Sequence, residues 1–160
     1  MRVGLAMLVA GTLVTAAMAQ ESSGVNRRSA DALAAEAKKQ METARTSASG
    51  AASTKLETYP SSYTMLAVRV KSGGAEIHAN WDDYLFVLDG SGTVMTGGTV
   101  VDAKAGDDGE TRGTRVEGGA PTLMHKGDVI HISAKVPHQV VLAPGETVTY
   151  YVVKVAVPKS

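Results

Sequence analysis

The sequence predicts an all-β domain preceded by one α-helix. From residue 59 onward, short segments rich in Val, Thr, Ile and Tyr recur, and glycine pairs at 73–74, 97–98 and 118–119 separate several of them. Short apolar segments punctuated by turn residues are typical of a β-sandwich or barrel. We see no helical periodicity here long enough for a βαβ unit. We therefore expect a β-barrel domain over residues 59–160.

Eight segments in this region have the composition of strands. Their alternation of apolar and polar residues, or their short apolar runs, favours a sheet with at least one buried face. The predicted strands cover residues 63–70, 75–80, 84–88, 93–95, 99–101, 128–132, 139–142 and 148–157. The segment 84–88 is apolar on both faces, which suits a covered strand or the interface of a homodimer.

The first residues have the pattern of a secretory signal peptide. Arg2 is followed by an uncharged apolar run to about Ala17, and Ala17 and Ala19 supply the small residues of a cleavage site. The run is short for a membrane span. We expect residues 1–19 to be removed and the mature chain to be periplasmic or secreted, without a membrane anchor.

Two segments separate this signal from the barrel. Residues 20–45 form the expected N-terminal helical segment, because ADALAAEAKKQMETA is rich in good helix formers. Ser29 or Asp31 is its expected N-cap. The thin apolar stripe of this helix requires a packing partner, and a frayed N-terminus is the alternative. Residues 46–58 contain many small residues without periodicity, which predicts a flexible linker.

Composition narrows the classes of partner. The sequence has 16 Lys and Arg against 16 Asp and Glu, without a long basic run, so it does not favour nucleic-acid binding. With no cysteine, neither disulfides nor thiolate ligands are available. No nucleophile elbow and no phosphate-binding loop occurs. A small molecule, an ion or a second copy of the chain is the expected partner.

The polar, glycine-rich stretch 102–119 predicts a long excursion between strands. We expect one short strand within it, near residues 114–116. Such excursions on a rigid scaffold often shape a binding site, and a solvated surface loop is the alternative. Arg112 or Arg115 would hold an anionic substrate if the excursion covers the opening; otherwise both are surface residues.

Two separate segments carry candidate metal ligands. In the first, Glu76, His78 and Asn80 lie on one strand face, because alternate residues of a strand share a face. A tight turn is expected at Trp81–Asp82, and Asp83 then opens the next strand. The second segment begins at Gly127 and presents His138 after a proline-bounded bend. Histidine and carboxylate side chains facing one interior are the elements of an N/O metal site.

These segments resemble the two motifs of the cupin superfamily. In the first motif, G-x5-H-x-H-x3,4-E-x6-G, His78 and Asn80 take the histidine positions, Asp83 the glutamate position and Gly90 the last glycine. In the second, G-x5-P-x-G-x2-H-x3-N, Gly127 is the first glycine and His138 the histidine. The resemblance implies a cupin-type jelly-roll β-barrel.

Several positions depart from the motifs. Asn80 replaces a histidine, Asp83 is one methylene shorter than glutamate, and only two residues separate them. The leading glycine, Gly73, is one position closer to His78 than the pattern asks. Ser133, Lys135 and Leu142 stand where proline, glycine and asparagine are usual.

Two functions follow from these residues. In the first, His78, Asn80, Asp83 and His138 hold a divalent transition metal (Mn, Fe, Ni, Cu or Zn), with Glu76 as an alternative ligand. The resemblance implies oxygenases, isomerases and lyases as reaction classes for a small-molecule substrate. In the second, the barrel is a metal-free, non-catalytic module that binds a small ligand or forms a dimer. There, His78 and Asp83 hydrogen-bond each other.

Overall fold

The computed structural model of the chain describes residues 24–158. The predicted signal peptide, residues 1–19, lies outside the described residues. Within them the chain forms one α-helix, twelve strands and a short 3-10 turn at Asp107–Gly109. In chain order the helix and strands are α1 (Ala30–Thr46), β1 (Ala51–Tyr59), β2 (Ser62–Arg69), β3 (Ala75–His78), β4 (Trp81–Thr96), β5 (Thr99–Val101), β6 (Lys104–Ala105), β7 (Glu110–Gly113), β8 (Arg115–Glu117), β9 (Ala120–His125), β10 (Val129–Ile132), β11 (His138–Val141) and β12 (Val148–Ala156). The predicted all-β class with one N-terminal helix is confirmed.

The long strand β4 organises the curled sheet. The sheet order is β1-β2-β12-β4-β11-β3-β7-β6, and β9 and β10 also pair with β4, whereas β5 and β8 form a separate ribbon. The first half of β4 pairs with β12 and β10, and its second half with β11 and β9. Gly90 lies at the change of partners with φ +80°, beside a register shift in the β12 pairing. The sequence had divided this strand into residues 84–88 and 93–95.

The helix α1 is confirmed and packs on the outer face of β1 and β2. Ser29 is its N-cap, and the hydroxyl accepts a hydrogen bond from the Ala32 amide at 3.2 Å. Gln40 and Ala44 are buried against the sheet. The Gln40 amide donates to Glu36 at 2.8 Å and also to Thr54 of β1. These contacts supply the packing partner that the thin apolar stripe requires.

The predicted flexible linker over residues 46–58 is wrong for residues 51–58. They belong to β1, which pairs with β2 from Ala51 opposite Arg69 to Tyr59 opposite Ser62. The side chains of Ala51 and Ser53 line the barrel cavity, where small residues leave space. The composition of β1 lacks the large β-branched residues that usually identify a strand. Backbone pairing with β2 holds this segment as a strand instead.

The excursion over residues 102–119 contains more regular structure than expected. Besides β8, which corresponds to the short strand predicted near 114–116, it contributes β6 and β7. Strand β7 is antiparallel to β3, with His78 opposite Glu110 and Glu76 opposite Arg112. The predicted turn at Trp81–Asp82 is also displaced, because β4 already begins at Trp81. The excursion therefore forms part of the sheet wall.

One part of the barrel interior is apolar and another part is polar. The apolar core contains Ala67, Leu85, Val87, Val94, Met124, Ile132, Val140, Val148, Tyr150 and Val152. Next to this core the buried residues are charged or polar: His78, Asp83, His138 and Lys154 are each less than 8% exposed. Within residues 24–158, no helix has the length and apolar character needed to cross a membrane.

Candidate metal centre

His78 is the last residue of β3, and its two ring nitrogens have different surroundings. Its Nδ1 lies 2.7 Å from both carboxylate oxygens of Glu110, which faces it across the β3–β7 pair. Its Nε2 is buried and has no hydrogen-bond partner among the described residues. A carboxylate on Nδ1 fixes the ring and leaves Nε2 as a ligand atom, which is the usual arrangement of metal-binding histidines.

His138 begins β11 in the same orientation. Its Nδ1 lies 3.0 Å from the Val136 carbonyl oxygen, within the bend that the proline creates. Its ring centroid is 4.9 Å from that of His78, and the two planes are tilted by 54°. Lys135, at φ +67°, shapes the bend, and its amide donates to the His78 carbonyl at 2.8 Å. The predicted convergence of His78 and His138 is therefore present.

Glu76 completes a group of three potential ligands. Its Oε2 lies 3.6 Å from His78 Nε2, and its Oε1 pairs with Arg112. It is also the residue directly opposite His138 in the β3–β11 pairing. One ligand atom from each of Glu76, His78 and His138 lies within 4.8 Å of the others. Glu76, the alternative ligand of the sequence analysis, is thus brought to the site.

Asp83 lies beside this group but is paired with a lysine. Its Oδ2 is 3.4 Å from His78 Nε2 and 3.8 Å from His138 Nε2. Lys154 Nζ donates to Oδ2 at 2.7 Å and lies equally close to Oδ1, which receives no hydrogen bond of good geometry. Asp83 and Lys154 are opposite each other in β4 and β12. The carboxylate is therefore positioned for a metal while neutralised by an ammonium group.

Asn80 lies in the turn after β3. Its Nδ2 donates to the Asp108 carbonyl at 2.7 Å, which ties the turn to the 3-10 turn 107–109. Asn80 is partly exposed, in contrast to His78, Asp83 and His138. Its role as a ligand stays a prediction.

The surroundings favour the metal-binding forms of two of the three ligands. Burial raises the pKa of Glu76, but its contact with His78 and the charge of Arg112 outweigh this and hold it at about 2. Burial lowers the pKa of His138. For His78, burial also lowers the pKa, but the interactions with Glu76, Asp83 and Glu110 outweigh it and raise the pKa. A metal would therefore compete with a proton mainly at His78.

Glu76, His78 and Asp83 line a cavity of about 890 Å³. Trp81 and Tyr63 form part of its wall and pack edge-to-face with their ring centroids 5.0 Å apart. Burial, together with the charges of Asp83, Glu110 and Glu76, raises the pKa of Tyr63 to about 12, so it stays a neutral hydroxyl donor. This volume accommodates a small molecule beside the potential ligands.

Neither Glu110 nor Lys154 was predicted from the sequence as a site residue. Glu110 lies in the stretch that was expected to be an excursion, so its pairing with β3 was not foreseen. Lys154 does carry a signal, because it follows Tyr150 and Val152 at alternate positions of an apolar strand. His131 lies outside the site: its ring stacks on that of Tyr84 with the centroids 4.5 Å apart, and it is exposed.

Comparison with solved structures identifies the architecture. The chain matches a predicted oxalate decarboxylase from Thermotoga maritima with a TM-score of 0.50 and 11% identity, over 67% of this chain and 81% of that one. The protein has a cupin fold. A Cupin 2 conserved barrel domain protein from Salinispora arenicola matches with a TM-score of 0.46 and 18% identity, over 66% and 76% of the two chains.

The Clostridium difficile EutQ protein also matches, with a TM-score of 0.45 and 15% identity over 66% of this chain, but the matched part spans only 61% of that protein. No family model and no curated protein sequence matches this cupin-fold chain. The match at a TM-score of 0.50 supports the architecture that the two motifs imply. Substrate and reaction have to be inferred from the site itself.

Proposed function

We propose that this cupin-fold protein binds one divalent transition metal inside its barrel and uses it to hold a small molecule. The observation that carries the proposal is the orientation of the two imidazoles. Both engage Nδ1 with a fixed acceptor, Glu110 or the Val136 carbonyl, and both turn Nε2 toward the carboxylates of Glu76 and Asp83. Two imidazole nitrogens and a carboxylate suit Mn, Fe, Ni, Cu or Zn.

The residues fit such an ion. Ligand atoms about 2.0–2.2 Å from a metal lie roughly 3–4 Å from one another. The distances of 3.4–3.8 Å between the carboxylate oxygens and the imidazole Nε2 atoms agree with this spacing. His78 Nε2, buried without a partner, is the atom that gains most from coordination. His78, His138 and Glu76 would hold the ion, and Asp83 would join them once Lys154 releases it.

The residues around this group would position the small molecule. A bound metal supplies a Lewis acid that polarises a coordinated oxygen. Trp81 and Tyr63 form an aromatic wall for the ligand, and Lys154 is placed to accept a new anionic partner when Asp83 turns to the metal.

A second candidate is a metal-free cupin that binds a small ligand. The Asp83–Lys154 ion pair favours it, because the pair neutralises the buried carboxylate without an ion. The contact between His78 and Glu110 likewise satisfies one ring nitrogen. In this case the cavity itself is the functional feature.

Metal analysis distinguishes the two candidates. Mature protein purified without chelator is offered each of the five metals, desalted and analysed by inductively coupled plasma mass spectrometry. We expect one metal per chain for the wild type and for His125→Ala, an exposed histidine away from the site, and loss of metal in His138→Ala. Stoichiometric retention of none of the metals by the wild type would exclude the first candidate and leave the second.

We also propose that the protein is exported and forms a homodimer. Export is supported by the signal-peptide pattern of residues 1–19. The dimer is supported by an outward-facing apolar area that includes Phe86, Leu88, Tyr151 and Val153. The intact mass of the secreted chain should correspond to a start at Gln20, and sedimentation should give twice that mass. A retained Met1 or a monomer would contradict the respective proposal.

A further inference from the structure

Arg69 is a cation directed into the barrel beside the candidate metal ligands. It ends β2 on the face that also carries the cavity-lining residues Met65 and Ala67. It lines the large cavity and also a small chamber of about 40 Å³. That chamber is bounded as well by Glu76, Asp83 and His138. One guanidinium group therefore shares a space with three potential metal ligands.

No carboxylate neutralises this guanidinium. Among residues 24–158, no acidic side chain lies within 4.0 Å of it, whereas Arg28, Arg112 and Arg115 each form an ion pair with a glutamate. Its one side-chain hydrogen bond is from Nε to the Tyr150 hydroxyl at 2.9 Å. Since charges inside proteins are normally paired, the two terminal nitrogens of Arg69 are available to an anion from outside the chain.

The guanidinium is also held in place. The buried Tyr150 hydroxyl accepts from Nε, and the backbone of Gly73 lies directly against the terminal nitrogens. A β-carbon at Gly73 would lie 2.5 Å from Nη1, so this glycine leaves the space that Arg69 occupies. Gly73 is itself anchored, because the Gln139 amide donates to its carbonyl and its own amide donates to Val140. Such preorganisation lowers the entropic cost of binding an anion.

From this arrangement we propose that Arg69 is the carboxylate-binding residue for a small organic acid. The proposal rests on the metal site proposed above, because a second oxygen of the acid would reach the ion at Glu76, His78 and His138. The planar guanidinium binds a carboxylate through two parallel hydrogen bonds. The chamber exceeds the roughly 10–15 Å³ that one water requires, so it admits a group of a few atoms. The larger cavity receives the rest of the molecule.

A second unpaired cation, Lys55, lines the large cavity. Lys55 Nζ lies 4.2 Å from the centroid of the Tyr63 ring and lines the large cavity. Within the described part of the chain it forms no ion pair. Lys55 is exposed, so the cavity offers the ligand a second unpaired cation on its solvent side. We therefore expect dicarboxylates to bind more tightly than monocarboxylates of equal length.

The test is calorimetric titration of the mature protein, both metal-loaded and metal-free, with glycolate, malonate and the neutral analogue glycolamide. We expect binding of the two acids and not of the amide, with a loss of roughly tenfold or more in Arg69→Gln and partial recovery in Arg69→Lys. Arg115→Gln, an exposed arginine outside the cavity, should bind as the wild type does. Tyr150→Phe should retain most of the affinity, because the charge remains.

Metal content is measured on every variant, which separates this proposal from the proposed function. Equal binding of acids and amide by metal-loaded protein, or unchanged affinity in Arg69→Gln, would overturn the Arg69 proposal alone. If the wild type retains no metal, the metal site fails. In that case, acid binding by the metal-free protein that is lost in Arg69→Gln would still support the carboxylate subsite. Absence of acid binding would overturn the Arg69 proposal as well. A lower metal content in Arg69→Gln would show a structural role and overturn the assignment.

Discussion

Asp83 and Lys154 face each other across strands β4 and β12 and form a buried ion pair, with Nζ 2.7 Å from the carboxylate. The same carboxylate lies 3.4 Å from His78 Nε2. An ion entering the site must therefore compete with the lysine for one of its oxygen donors. This competition determines how the lysine affects metal binding.

Replacing Lys154 with Met should destabilise the metal-free protein and increase its response to metal. Loss of one partner of a buried ion pair leaves an uncompensated charge and costs about 3–5 kcal/mol. Zinc at about 100 times its dissociation constant would restore about 2.7 kcal/mol. Thermal unfolding with and without Zn²⁺ measures both effects. An Asp83→Asn/Lys154→Met double variant should lose less stability than the single variant and gain less from zinc. An equal zinc response in the single variant and the wild type would contradict the competition.

Glu110 should control metal affinity although it lies behind His78. Its carboxylate orients the ring through Nδ1, and loss of such a partner typically reduces metal affinity by about 10–100-fold. Equilibrium dialysis against Zn²⁺ compares Glu110→Gln with Glu42→Gln, an exposed glutamate on α1. We expect weaker binding only in the first. Equal affinities would mean that Glu110 serves only to pair β7 with β3.

Metal retention should decrease as the pH falls. Burial lowers the pKa of His78, but its contacts with Glu76 and Glu110 and the charge of Asp83 outweigh this and raise it. The ring therefore takes up a proton at a higher pH than an ordinary imidazole does. Protonated histidine cannot bind metal, so the affinity is full above this pKa and is lost below it. Dialysis at pH 8, 7, 6 and 5 checks the direction. Constant retention down to pH 5 would show that His78 is not a ligand.

A methyl group at Gly90 should disrupt the junction of the two halves of β4. The φ of +80° disfavours any β-carbon, and one built there would lie 2.0 Å from the Thr147 carbonyl oxygen. We expect Gly90→Ala to cost more than about 3 kcal/mol in urea unfolding. The matched control is Gly97→Ala, with φ +74° and open space around it, where about 1–2 kcal/mol is expected. Similar losses in both variants would show that backbone conformation alone is responsible.

The sequence predicted those parts of the fold and site whose signals are local. The N-cap at Ser29, the helix and most core strands follow from propensity and alternation along the chain. His78, Asp83 and His138 were correctly expected to lie in one interior, because spaced motifs carry their positions. Strand β1 was missed because small, polar residues form it, and only pairing with β2 makes it a strand.

The remaining site residues depend on long-range pairing. Glu110 reaches His78 only because β7 folds back beside β3, and no periodicity within residues 102–119 fixes that register. Arg69 and Lys154 occupy inward positions near the ends of apolar strands. From the sequence alone, a single charged residue there is easily taken to mark the exposed end of the strand. A rule that treats a lone charge at an inward position as a site candidate would have found both.

The pairing of Glu76 with His138 is the single register pair that joins β3 to β11. Glu76 and His138, two of the three potential metal ligands, therefore lie on neighbouring strands that are distant in the sequence. An ion bound there would cross-link the two segments in a chain that has no cysteine to form a disulfide. Metal binding would then hold β3 and β11 together on this side of the barrel. The amides of these two strands should therefore show the largest gain in protection from hydrogen exchange when metal is added.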